Sequence, residues 1–169
     1  MTKEQRPRIV LEQSTFDRVQ EGLALAGLLV LILLPLVYYG DLPETIPQHF
    51  NAKGDADGFG SKNFIWFLPG LGAALYLFMT LLNRSPHMFN YTVNITEANA
   101  AEQYRMATRL VRWLKMFVML LFVYITWGII NGAMTGKTGL SPWFLFVVLA
   151  INFGTIGWYW TASWRKRKG

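Results

Sequence analysis

The side chains of this 169-residue chain that are able to do chemistry crowd into one segment, 41–63, where Asp41, Glu44, His49, Asn51, Asp55 and Asp57 fall close together. Carboxylates around an imidazole suit a divalent cation, with His49, Asp55 and Asp57 as the candidate ligands. Asp55-x-Asp57-Gly58 has the form of the start of a calcium loop, but it lacks a third acidic residue before the glycine and a closing glutamate. The same side chains are equally suited to accept hydrogen bonds in turns and caps. His49, between two apolar arms, reads as a packed, hydrogen-bonded residue ahead of a ligand or a base. Nucleophilic catalysis lacks its parts: there is no cysteine, and Ser61 has no base and orienting acid at a triad-like spacing. The other histidine, His87, belongs to a different loop. The expectation is a protein that is not an enzyme and carries no cofactor.

The segment also has a shape. Pro43 and Pro47 hold Leu42 and Ile46 in extended conformation, Gly54, Gly58 and Gly60 admit positive φ, and Asp57-Gly58 is a strong turn signal. This predicts two short extended arms, Ile46 to Phe50 and Phe59 to Lys62, around a turn.

Four apolar stretches must carry this loop: 22–39, 64–82, 113–133 and 142–162. Each approaches the roughly 20 residues a helix needs to cross a bilayer. The chain is 53% hydrophobic and 15% charged, and of its charged residues only Lys115 sits within a stretch, near its edge. The fold class that follows is an all-α integral membrane protein, a single membrane domain over 1–169, with four transmembrane helices. A short extracytoplasmic, hairpin-like loop joins the first two. Ser14-Thr15-Phe16-Asp17 has the form of a capping box, so the first helix is expected to start ahead of its apolar stretch. Its long polar lead, and the lack of a small-x-small cleavage site near Tyr38 to Asp41, favour a retained span over a signal peptide.

Basic residues near span ends set orientation. Lys3, Arg6, Arg8 and Arg18 precede the first span, Arg84, Arg105, Arg109 and Arg112 lie in the loop 83–112, and Arg165, Lys166, Arg167 and Lys168 form the tail. These twelve outweigh Lys53, Lys62 and Lys137 on the other side, with Lys115 expected to snorkel toward the basic side. Both termini are thereby expected in the cytoplasm. The net charge of +6 reads as an orientation signal facing anionic lipid and not as a nucleic-acid surface. Trp66, Trp127 and Trp143 at one interface, and Trp113, Trp158, Trp160 and Trp164 at the other, form aromatic belts.

Within the spans, Pro35 and Pro69 are expected to kink their helices. Gly70, Gly72, Ala73 and Ala74, with Gly154 and Gly157, are expected to allow close helix contacts, including contacts with a membrane protein partner or a second copy. Asn152, the most polar residue near a span centre, is expected to bond between helices or, in a minority reading, to line a substrate or ion path. In the loop 83–112, Phe89 to Ile95 alternates as a short extended stretch, and Thr96 is expected to cap a basic amphipathic helix that runs on into the third span.

Leu42-Pro43-x-x-Ile46-Pro47-x-His49-Phe50-Asn51-x-x-Gly54-x-x-Asp57-Gly58-x-Gly60-Ser61-Lys62, directly after a first hydrophobic span, resembles the amino-terminal domain of unknown function of the bacterial SdpI-like membrane proteins. The resemblance covers roughly the first half of the chain. It implies an inner-membrane protein with an outward-facing loop whose Pro47, His49, Phe50, Asn51, Gly54, Asp57, Gly58, Gly60 and Lys62 form a surface for a partner or peptide ligand. In the SdpI-type members it further implies protection against a membrane-active toxin and capture of a repressor. No counterpart of their carboxy-terminal half, with its Arg-Thr-Pro turn, follows the fourth span.

Overall fold

The computed structural model describes residues 6–136 and 140–166. Lys3, Lys137, Arg167 and Lys168, counted above for orientation, lie outside the described residues. Four helices dominate: α1 Thr15–Tyr38, α2 Phe67–Leu82, α3 Ala100–Thr135 and α4 Phe144–Arg165. With the 3₁₀ turn Lys62–Trp66 that leads into α2, all four are long and apolar enough to cross a membrane. Between α1 and α2 lies an antiparallel hairpin, β1 Thr45–Phe50 and β2 Ala56–Ser61.

The capping box forms as the sequence requires. Asp17 N donates to Ser14 Oγ, and Ser14 N donates to the Asp17 carboxylate at 2.8 Å, so two of the free N–H groups at the start of α1 are satisfied. Pro35 lies buried inside α1. Pro69, in contrast, falls in the first turn of α2, where a missing N–H leaves no carbonyl without its intrahelical partner; the kink expected there has no cause.

The chain climbs along α1, returns along α2 and climbs again along α3, so α1 and α3 run parallel. Asp17 meets Arg109 at one end of this pair and Tyr38 meets Trp127 at the other. Close approach is permitted by glycine. A Cβ on Gly27 would sit 3.0 Å from Met119 Cβ, and one on Gly72 would sit 2.6 Å from Leu31 Cδ2. A Cβ on Gly154 or Gly157 would meet nothing within 4 Å, so the close contacts expected of them are not made among the described residues. Indeed the apolar stretch of α4 buries none of its residues; Ser163 alone is buried.

Each end of the bundle has its own core. Leu42, Ile46, Ile65, Ile129 and Ile130 form one, roofed by the hairpin. At the opposite, arginine-rich end, Ile95, Ala100 and Tyr104 pack with Ile9, Leu11, Tyr91 and Val93. Here the expected extended stretch from Phe89 to Ile95 is irregular, held instead by Arg6 Nη1 donating to the carbonyls of His87 and Phe89 at 3.1 and 2.7 Å. Tyr91 Oη donates to Pro86 O, and burial raises its pKa well above the ordinary phenol value, which keeps it a donor. Thr96 does cap, but one turn early. It exchanges hydrogen bonds with Asn99, whose carboxamide accepts from Thr96 N at 3.0 Å, and the regular helix starts at Ala100.

Gly54, at φ +87°, closes the hairpin turn, and a Cβ there would lie 2.2 Å from Leu140 O. Gly54→Ala should therefore lower stability by at least about 1 kcal/mol. Gly22→Ala, in open space on α1, should raise it by about 0.5 kcal/mol. Melting temperatures in detergent, compared with wild type, check both signs.

Candidate functional site

The hairpin is built around Asn51. Its side-chain oxygen accepts from Lys53 N at 2.8 Å and Asp55 N at 3.1 Å, while Asn51 N donates to Asp55 O and Gly54 N to Asn51 O. This Asx turn places the reversal at 51–55. The Asp57-Gly58 pair, expected as the turn, lies inside β2, with Gly58 opposite His49. Gly58 and Gly60 have no positive φ. They are small because of what faces them: a Cβ on Gly58 would sit 2.9 Å from His49 Cβ, and one on Gly60 2.3 Å from the Gln48 amide.

Strand alternation then sorts the predicted site residues. Ile46 is buried toward the bundle and Phe50 is half-buried against the roofed core, while Pro47, also buried, pairs with Phe59 on the opposite face. His49 turns outward with its side chain 73% exposed, contrary to the packed position expected of it, and its Nδ1 lies 2.5 Å from Asp57 Oδ1. Phe59, exposed at 62%, lies on the same hairpin. Lys62 pairs with Glu44 at 2.8 Å and stands 5.2 Å from the Tyr39 ring, whose hydroxyl donates to Asn63 Oδ1. These bonds tie the base of the hairpin to the end of α1. Of the three proposed metal ligands, His49 and Asp57 pair with each other, while the Asp55 backbone serves the turn. Among the described residues no three histidine, aspartate or glutamate side chains converge on a cation position. Asn152 Nδ2 donates to Val148 O of its own helix at 2.8 Å, so it neither bonds between helices nor presents this donor to a path.

A second polar constellation lies at the arginine end. Arg109 Nε donates to Asp17 Oδ1 at 2.9 Å and its Nη2 donates to Ser14 Oγ at 3.1 Å; Arg112 lies 3.3 Å from Glu21. Lys115, expected to snorkel outward, is instead completely buried. Its Nζ reaches Glu21 Oε2 at 2.5 Å and Thr80 Oγ1 at 2.9 Å and lies 4.5 Å from the Tyr76 ring. Inward pairing wins because a buried ammonium needs a counter-charge and oxygen acceptors, and α1 and α2 supply both there. The layer joins three helices. Its signal in the sequence was Asp17 and Glu21 four residues apart on α1, and Arg109, Arg112 and Lys115 at every third position on α3.

Residues 26–73 match the model of a domain of unknown function (DUF1648). That stretch takes in the second half of α1, the whole hairpin and the first turns of α2, and leaves the whole charged layer outside it, Asp17 and Glu21 included. An uncharacterized protein of Archaeoglobus fulgidus is 40% identical over 76 residues. The alignment covers 40% of this chain and 42% of that relative, so less than half of its length is matched. No solved structure matches.

The ion pairs can be separated by a double-mutant cycle. Glu21→Leu alone leaves the fully buried Lys115 ammonium without its counter-charge and should cost about 3 kcal/mol, whereas the double change Glu21→Leu with Lys115→Met should recover most of that loss. Denaturant unfolding followed by circular dichroism measures the coupling.

Proposed function

We propose that the chain is a non-enzymatic inner-membrane protein whose hairpin faces outward and recognises a partner or peptide, in toxin immunity, sensing or envelope signalling. Both termini and the arginine end lie in the cytoplasm in this reading, as the distribution of basic residues favours. The observation that carries it is the outward-turned His49–Asp57 pair on a hairpin whose other face seats Ile46 and Phe50 in the roofed core. A folded, anchored roof that keeps an exposed imidazole, carboxylate and aromatic ring together suits recognition better than structural filling. The resemblance of 42–62 to SdpI-like loops points the same way.

A second reading, an accessory subunit of a larger membrane complex, is favoured by α4, where a Cβ on Gly154 or Gly157 would meet nothing within 4 Å among the described residues. Gentle detergent extraction that returns only the monomer at every concentration counts against it.

For the main reading, cells lacking the protein should be more sensitive to membrane-active peptides. Wild type should restore resistance, and His49→Ala and Asp57→Ala should not, at equal amounts in the membrane. Equal resistance in all strains contradicts the proposal.

A further inference from the structure

Between α1, α3 and α4 lies a cavity of about 530 Å³. Leu110, Trp113 and Trp158 form apolar walls, Gly154 leaves its floor open, and Gln20 and Arg109 stand at its polar end. Trp113 Nε1 donates to Thr155 Oγ1 at 3.2 Å, which braces α3 against α4 across the groove. Gln20 is only 4% exposed, yet its Oε1 has no hydrogen-bond partner among the described residues. A buried carboxamide oxygen left in this way gains a bond when its side chain turns toward a donor in the groove. Charge adds a second requirement. In the layer beside the groove, among the described residues, Arg109, Arg112 and Lys115 face only Asp17 and Glu21, an excess of one positive charge, and Arg109 keeps Nη1 out of its bonds to Asp17 and Ser14.

We propose that this groove binds one anionic glycerophospholipid with a hydroxylated headgroup. The phosphodiester would lie against Arg109 and offset the unbalanced charge, a headgroup hydroxyl would donate to Gln20 Oε1, and one acyl chain would run along Trp113 and Trp158 over Gly154. The walls belong to membrane-spanning helices, so the occupant enters from the bilayer and not from water.

The test is native mass spectrometry of the full chain in detergent, offered equal amounts of phosphatidylglycerol and phosphatidylcholine. Wild type should retain one phosphatidylglycerol, preferred by about tenfold, which corresponds to about 1.4 kcal/mol. Gly154→Leu, whose side chain meets open space and fills the groove, should lose the adduct, and Gly157→Leu, away from the groove lining, should keep it. Gln20→Leu should keep lipid binding with a smaller preference, the share set by the charge at Arg109 remaining, which separates headgroup reading from a folding defect. Equal retention of the two lipids by wild type overturns the proposal. So does an adduct unchanged in both Gly154→Leu and Gln20→Leu, one lost equally in Gly157→Leu, or a dimer that holds the groove closed without lipid.

Discussion

The bundle depends on the pairing of Asp17 and Glu21 with Arg109, Arg112 and Lys115. Lys115 is completely buried and Asp17 and Arg112 nearly so. A charge so placed is tolerable only when its partner is held in fixed geometry, because the cost of removing each ion from water is several kcal/mol. The pairing therefore does more to define arrangement than to add stability. It fixes which face of α3 meets α1, brings α2 in through Thr80 and Tyr76, and sets the two parallel helices at one height. Once that height is set, Gly27 lies against Met119 and Tyr38 against Trp127.

The hairpin's position follows from this register. It is anchored where α1 ends and α3 passes beneath, on Leu42, Ile46, Ile65, Ile129 and Ile130. Its buried face holds the roof in place, and strand alternation sends His49 to the other side. The two ends of the molecule thus have opposite characters. One is a buried electrostatic clamp, and the other is an apolar seat that leaves a polar, aromatic surface exposed.

Much of this was legible in the residues. The four apolar stretches, the Ser14 capping box and a hairpin-like segment between the first two spans all follow from local pattern, and each is present. What misled was also local. Asp57-Gly58 has a turn signature, but Asn51 supplies a better one, with a side-chain oxygen that takes two backbone N–H groups, so the reversal forms there and Gly58 serves the space beside His49. Lys115 was read by its depth alone. Its destiny depends on Glu21, 94 residues away, and no local window contains that pair. Gly154 and Gly157 looked like a packing motif because spacing marks where close approach is possible, not whether a neighbour arrives.

The proposed orientation puts the charge-clamped end inside the cell and the hairpin outside it. The absence of native cysteine makes it directly measurable. Lys53→Cys on the hairpin and Glu12→Cys ahead of α1 are both at exposed positions. In intact cells with a permeable outer layer, a membrane-impermeant maleimide should label Lys53→Cys at once and Glu12→Cys only after the inner membrane is opened. Labelling of Glu12→Cys in intact cells, with Lys53→Cys protected, would contradict that orientation.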